Sequence, residues 1–256
     1  MTLPCLGMGT WRLGARGDTP ISVLQRGLDY GLALIDTAES YGKGYSEMLV
    51  AEAIRTYPRD SVFIVSKVNQ NKTRAEMVDS ASKIVQRLGT SMDLCLLHAP
   101  PWDGTPLDNR VKALEDIVEK GYSRFVGVSN FNVAQIKFAR HCLSKVDVVA
   151  VENCLNLNDK HWLYDVVPYT EREGMLFIAH RPIDTGQFVV SKGILVAVAK
   201  NYGKTNIQTA LNWLICLPSV LPIPKSGNIC HLSENVGALG WRLSSHDWTR
   251  LEGMNN

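Results

Sequence analysis

Four side chains of four chemical types, Asp36, Tyr41, Lys67 and His98, fall within the first hundred residues of the chain. Asp36 closes the apolar run Leu32–Ile35, Lys67 follows Val62–Val65, and His98 follows Met92–Leu97. Tyr41 lies five residues beyond Asp36, in a polar stretch. Singly, each has a plain explanation: a turn-capping aspartate, a tyrosine packed on a loop, a solvated lysine at a strand end, a satisfied loop histidine. Together they make a proton relay. A free phenol, with a pKa of about 10, is a weak acid at neutral pH. An ammonium within reach stabilises the phenolate and lowers that value. A carboxylate keeps the lysine charged and oriented, and a neutral imidazole can hydrogen-bond a substrate oxygen. The set suits delivery of a proton to a carbonyl that becomes an alcohol, with Tyr41 as general acid. It lacks an activated nucleophile. It also lacks a metal site, because His98 has no second histidine nearby and neither HxE nor HExxH spacing occurs.

Such a relay needs elements that bring all four groups to one place. Short apolar runs alternate with helical patterns along the chain. Strands are expected at Leu6–Trp11, Leu32–Asp36, Val62–Val65, Met92–Leu97, Phe125–Val128, Val146–Val151, Met175–Ala179 and Val220–Ile223. Helices are expected at Ile21–Tyr30, Ser46–Thr56, Thr73–Leu88, Leu107–Glu119, Asn132–Leu143, Leu163–Glu173, Ile194–Tyr202, Asn206–Leu217 and His231–Leu239, with a short terminal helix at Ser244–Leu251. Thr73 and Glu76 are spaced as a capping box and Gly89 as a stop. Eight strand–helix units without a break in composition imply one domain, residues 1–256, built as a (β/α)8 TIM barrel. A doubly wound open sheet is the rival, but Gly7-Met8-Gly9 lies inside the first run and no GxGxxG opens the next helix. In a barrel the carboxyl ends of the strands form one rim. That rim receives Asp36, Tyr41, Lys67 and His98, then Ser129 and Asn130 after the fifth strand and Lys225 and Ser226 after the eighth.

Composition agrees with an ordinary globular protein: 256 residues, 45% hydrophobic and 20% charged. A net charge of +2 gives no argument for nucleic acid or an anionic membrane surface. No stretch approaches 18 apolar residues, and the first residues lack a basic leader and an apolar core, so neither a membrane span nor a signal peptide is expected. The six cysteines are scattered with no CxxC pair and read as reduced, small apolar residues of a cytoplasmic protein.

Several ordered motifs then resemble the aldo-keto reductases along nearly the whole length. They are Gly7-Met8-Gly9-Thr10-Trp11, Ile35-Asp36-Thr37-Ala38-Glu39 with Tyr41-Gly42, Val65-Ser66-Lys67-Val68, Asp93–His98, Phe125–Phe131, Ala210-Leu211-Asn212-Trp213, and Ile223-Pro224-Lys225-Ser226 with Glu234-Asn235. The resemblance implies a barrel that binds a nicotinamide dinucleotide without a Rossmann motif. It implies a catalytic tetrad of Asp36, Tyr41, Lys67 and His98, and reversible hydride transfer to an aldehyde or ketone. It assigns Thr10, Ser129, Asn130, His180 and Arg181 to the cofactor's nicotinamide and diphosphate side. Lys225, Ser226, His231 and Asn235 go to its adenosine side, and Trp11 and Trp102 to the substrate pocket. A lysine beside the 2′-phosphate favours NADPH, with NADH possible.

The chain departs from the family pattern at several places. Ala150 stands where a glutamine usually contacts the carboxamide, and His180 where a tyrosine usually stacks on the nicotinamide and where an imidazole could titrate. Arg181 either meets the diphosphate or makes an outward salt bridge. His231 replaces a usual arginine, which weakens the preference for NADPH. Ala99-Pro100-Pro101-Trp102 replaces a Trp-Pro after His98. The amino-terminal hairpin and the carboxyl-terminal loop are short, so an open pocket is expected, in a monomer or weak homo-oligomer. The rival functional reading is a cofactor-sensing module with little turnover, motivated by Ala150 and His180; an unrelated barrel lyase is a third.

Overall fold

The computed structural model describes residues 2–14, 18–102, 106–184 and 193–254. Eight parallel strands lie in the order of the sequence: β1 (Met8–Gly9), β2 (Leu34–Asp36), β3 (Phe63–Val68), β4 (Met92–Leu97), β5 (Ser123–Ser129), β6 (Val148–Cys154), β7 (Leu176–His180) and β8 (Val220–Pro222). The sheet closes on itself. Gly7 N donates to Pro222 O at 3.0 Å, Gly9 N donates to Pro224 O at 3.1 Å, and Gly9 pairs in parallel with Lys225. Closure removes both sheet edges and gives the expected (β/α)8 barrel.

Helices cover the outside: α1 (Pro20–Asp29), α2 (Tyr45–Ile54), α3 (Arg74–Leu88), α4 (Leu107–Glu119), α5 (Val133–Cys142), α6 (Val166–Arg172), α7 (Gly193–Asn201), α8 (Asn206–Ile215), α9 (Ile229–Val236) and α10 (Ser245–Glu252). Local sequence explains their starts. Pro20 opens α1, where its missing N–H costs nothing. Thr73, Asn132 and Thr205 each form a capping box, with Glu76, Gln135 and Gln208 respectively. Gly89 ends α3 in the left-handed conformation. The indole of Trp248 on α10 stacks on that of Trp213 on α8, with ring centroids 5.6 Å apart, and donates its Nε1–H to the Trp213 carbonyl.

The expected elements are present with shifted ends. The first run yields only two strand residues, because Thr10 turns away: its N–H bonds Asp36 O, and its own carbonyl accepts from Leu13 N. The sixth strand runs three residues past Val151, through Glu152, Asn153 and Cys154. Helix α9 begins at Ile229 rather than His231, because Asn228 caps it by accepting from His231 N. Helix α6 begins only after Asp165, with Pro168 in its first turn, where amide donors are not needed.

Two apolar layers hold the barrel. The larger lies between strands and helices. The smaller fills the barrel itself, with Leu34, Val65, Leu94, Leu96, Ala150, Ile178, Leu221 and Ile223 in mutual contact. Leu3, Phe63 and Leu176 pack against this inner layer. Phe63 and Leu176 are the first residues of their strands, so these three side chains cover its amino-terminal side. The inner layer leaves the carboxyl ends of the strands for polar groups. Among the described residues, no helix is long and apolar enough to cross a membrane.

Candidate active site

Side chains alternate between the two faces of a strand, so every second residue of a barrel strand points inward. In β2 the inward pair is Leu34 and Asp36, in β3 Val65 and Lys67, in β6 Ala150 and Glu152. The apolar member of each pair belongs to the inner layer. The charged member sits one step nearer the rim, almost fully buried: Asp36 is 2% exposed, Lys67 1% and Glu152 1%. Lys67 Nζ donates to Asp36 Oδ1 in a short contact, and to Thr37 O at 3.1 Å. It lies 3.2 Å from Glu152 Oε1 and 3.4 Å from Tyr41 Oη. An ammonium has three protons and here four acceptors, so the phenol, the most distant, is its weakest partner.

Tyr41 reaches the cluster from the loop after β2. That loop follows the end of β3: Thr37 N donates to Val65 O, and Glu39 N donates to Lys67 O. Directly after Tyr41, three successive residues take the left-handed conformation: Gly42 (φ 59°), Lys43 (φ 57°) and Gly44 (φ 91°). This turn feeds α2 and aims the phenol inward. Arg87 is packed over it. A Cβ on Gly44 would lie 2.5 Å from Arg87 Nε, and the same nitrogen donates to Glu47 Oε2 at 2.5 Å. Glu47, fully buried, also accepts from Ser66 Oγ at 2.8 Å, which links the turn to the strand that carries Lys67.

Burial by itself favours a neutral lysine, but Asp36 and Glu152 reverse that and hold Lys67 charged, well above its ordinary value. Both carboxyls are pushed up by burial, with Lys67 opposing. Glu152 is raised further, because the charge of Asp36 faces it. Asp36 and Glu152 are therefore two coupled carboxyls facing one ammonium, and Glu152 is the harder of the two to ionise. Lys67 pulls the pKa of Tyr41 down, as expected, but it is outweighed. Burial of the phenol raises the value, and the attraction of Lys67 is offset by the carboxylates of Asp36 and Glu152. Tyr41 holds its proton firmly at neutral pH.

His98 follows β4, and its ring meets that of Tyr41 edge-on at 6.0 Å between centroids. Burial first, and Lys67 second, lower its pKa to about 4, so it is neutral. His180, at the end of β7, is lowered to about 3 by burial, with Lys67, Arg181 and His98 adding to the effect. The expectation that it could titrate is thus corrected: His180 is neutral throughout the physiological range. Its Nε2 lies 3.2 Å from Asn130 Oδ1. Asn130 Nδ2 donates to His98 O and to Ser129 Oγ, both at 3.0 Å, which leaves Oδ1 to accept and places the His180 proton on Nε2. Asn130 itself is left-handed (φ 63°). Ser129, Asn130, His98 and His180 therefore form one connected rim segment.

The remaining expected residues fall into two groups. Thr10 is buried, and its hydroxyl donates to Asp36 O at 2.9 Å, so its side chain secures the end of β2. Arg181, also left-handed (φ 51°), places its guanidinium 5.3 Å from the centre of the Trp11 ring and makes no salt bridge among the described residues. Arg12 lies over the same ring at 4.3 Å. Trp11 is half exposed, and Trp102 is 75% exposed. Ala150 lies in the inner apolar layer and offers no side-chain hydrogen bond. At the far end, Asn235 Nδ2 donates to Ser226 Oγ at 2.9 Å, both residues being buried, and Lys225 follows β8 beside them. His231 is exposed in the first turn of α9, with its Nδ1 3.4 Å from Asn228 Nδ2.

Sequence reasoning passed over Glu152. Its signal was an acidic residue continuing the apolar run Val146–Val151, the same signal that marks Asp36. Among the described residues no His, Cys, Asp or Glu cluster could hold a metal ion.

The rim thus carries hydroxyl, amide and imidazole groups at one end and ammonium, hydroxyl and amide groups at the other, with a buried acid between. A family model described as Aldo/keto reductase family matches residues 5–256. The methylglyoxal reductase YeaE of Escherichia coli (strain K12) is 30% identical over 262 residues, spanning 98% of this chain and 91% of its own. The structure of the thermostable aldo-keto reductase Tm1743 in complex with the inhibitor epalrestat superposes with a TM-score of 0.90 at 32% identity, covering 98% of this chain and 94% of that one. The aldo/keto reductase of Klebsiella pneumoniae in complex with NADP and acetate superposes with a TM-score of 0.88 at 30% identity, covering 97% and 90%.

Proposed function

This chain belongs to the aldo/keto reductase family, and from that membership we propose that it reduces an aldehyde or ketone to the alcohol with NADPH, Tyr41 giving the proton. As a member it is an NADP-dependent oxidoreductase acting on small carbonyl compounds. The Klebsiella pneumoniae relative, solved with NADP and acetate, supports the cofactor. The single observation that carries the role of Tyr41 is its place between the two groups it needs. Its hydroxyl is 3.4 Å from a permanently charged ammonium, and its ring meets a neutral imidazole.

Bound NADPH supplies hydride to the carbonyl carbon. Ser129, Asn130, His180, Arg181 and the Thr10 turn would flank its nicotinamide and diphosphate. Lys225, Ser226, His231 and Asn235 would hold its adenosine portion. The substrate oxygen lies between Tyr41 Oη and the His98 ring, where His98 donates a hydrogen bond and fixes its position. As negative charge develops on that oxygen, Tyr41 transfers its proton. The phenolate left behind faces Lys67, whose charge is kept by Asp36. Trp11 and Trp102 line the entrance, and the substrate is a small or aromatic carbonyl compound. The methylglyoxal reductase from Escherichia coli is consistent with a small substrate.

A second reading, a cofactor-binding regulatory module with little turnover, draws on two observations. Ala150 offers no hydrogen bond, and the Asn130 amide is already engaged by His98, Ser129 and His180. The test mixes purified protein with NADPH and a panel of reactive aldehydes and follows cofactor absorbance, with cofactor binding measured separately by protein fluorescence. Tyr41→Phe is expected to lower turnover by at least about a hundred-fold while cofactor binding is retained. Undiminished turnover in that variant would remove Tyr41 from the mechanism. A wild type that binds NADPH without turning over any aldehyde would favour the second reading.

A further inference from the structure

Lys225 carries the positive charge assigned to the adenosine 2′-phosphate, and its ammonium is already paired. Nζ lies 2.8 Å from Asp18 Oδ2. The aspartate is only 13% exposed, so this is not a loose surface contact. Gly14 N also donates to Asp18 Oδ2, at 3.2 Å, and Thr19 N donates to Gly227 O at 3.0 Å. Gly227 forms the floor beneath the pair: a Cβ there would lie 2.2 Å from Asp18 Oδ1 and 3.0 Å from Lys225 Nζ. Asp18, just before α1, and Lys225 and Gly227, after β8, are thus joined through one carboxylate. Among the described residues, His231 is another basic position of this region, and its imidazole is exposed and faces its capping Asn228.

A 2′-phosphate arriving at Lys225 meets an ammonium whose charge is compensated by a carboxylate, and it is repelled by that carboxylate at close range. A ribose 2′-hydroxyl meets the opposite situation, because a carboxylate accepts its hydrogen bond. We propose that Asp18 is a cofactor-specificity residue, competing with the 2′-phosphate for Lys225 and accepting from the 2′-hydroxyl of NADH, so that the chain accepts both dinucleotides. This rests on the reading that Lys225 and Ser226 receive the adenosine end.

The test measures dissociation constants of NADP+ and NAD+ by fluorescence quenching for the wild type and for Asp18→Asn, Asp18→Ser and Lys225→Met, with 2′,5′-ADP as a fragment probe. Serine keeps an acceptor for Gly14 N should asparagine disturb the loop, and circular dichroism checks that each variant is folded. Both Asp18 variants are expected to bind NADP+ and 2′,5′-ADP roughly five- to ten-fold more tightly, the size of one partly exposed charge interaction. NAD+ binding is expected to weaken, and unchanged NAD+ binding would remove the 2′-hydroxyl contact from the proposal. Weaker NADP+ binding by the folded Asp18 variants would show that Asp18 orients Lys225 for the phosphate, which overturns the proposal, as would unchanged binding of both dinucleotides. Lys225→Met is expected to weaken NADP+ more than NAD+. If it binds both as the wild type does, the adenosine end lies elsewhere, and the underlying assignment fails rather than the role of Asp18 within it.

Discussion

Lys67 Nζ lies 3.2 Å from Glu152 Oε1 while it hydrogen-bonds Asp36, so one buried ammonium serves two carboxyl groups. Glu152 Oε2 has no hydrogen-bond partner among the described residues. The surplus carboxyl is a reserve of charge in a place where an unpaired lysine would be very costly.

The consequence is a non-additive pair of substitutions. In Asp36→Asn, Glu152 takes over as counter-ion. Lys67 stays charged, and turnover falls by less than about ten-fold. Glu152→Gln removes the carboxyl that is harder to ionise and changes less. The double variant leaves the ammonium with no counter-charge, at a cost of about 3–5 kcal/mol in stability and with turnover well below the product of the two single effects. Urea denaturation and aldehyde reduction on the four proteins of the cycle measure this. Simple additivity would mean that Glu152 does not substitute for Asp36.

The two neutral histidines predict how stability depends on pH. Both pKa values are lower in the folded protein than the unfolded value of 6.5, at about 4 for His98 and about 3 for His180. Their contribution is therefore complete above pH 6.5. As pH falls below 6.5 the unfolded chain binds two protons that the folded one refuses, and stability drops until pH passes about 4 and then 3. The slope is up to about 1.4 kcal/mol per pH unit for each histidine. Asp36 and Glu152, raised in the fold, work in the opposite direction, so the signal is the difference between proteins. Urea midpoints from pH 7 to 4 should fall more steeply for wild type than for His98→Gln or His180→Gln. Parallel profiles would mean that these histidines protonate within the fold.

The turn after Tyr41 predicts a third effect. Gly44 has φ 91°, and Arg87, clamped by buried Glu47, occupies the space of any Cβ. Gly44→Ala should destabilise by about 1–2 kcal/mol, through strain at positive φ and displacement of Arg87. It should also lower turnover by moving the phenol away from Lys67. Thermal denaturation and turnover at a temperature where the variant is fully folded separate the two effects. Full turnover in a destabilised variant would show that the turn supports the fold without aiming the phenol.

The positions of Asp36, Lys67 and His98 could be read directly, because each follows an apolar run and strand ends of a parallel barrel share a rim; Tyr41 follows on the loop that leaves Asp36. Glu152 escaped because the run before it was taken to end at Val151, whereas the strand continues. The direction of the Tyr41 shift could not be read, since spacing shows which charges are near but not how dry the phenol is. The engagement of Asn130 by His180 and the pairing of Lys225 with Asp18 arise between distant segments, the latter 207 positions apart, and leave no local pattern.

The seam of the barrel bears on how the molecule is made. Gly7 and Gly9 bond to Pro222 and Pro224, so the first strand finds its second neighbour only after more than 200 residues have followed it. Contacts of such sequence separation form slowly, because a long loop must close before they stabilise anything. While the chain is being synthesised, β1 has β2 on one side and an open edge on the other. The rim segment that carries Lys225 and Ser226 does not exist until β8 arrives. The cluster of Asp36, Tyr41, Lys67 and Glu152, complete once β6 is in place, is therefore assembled before that segment, while the nascent barrel still has an exposed edge.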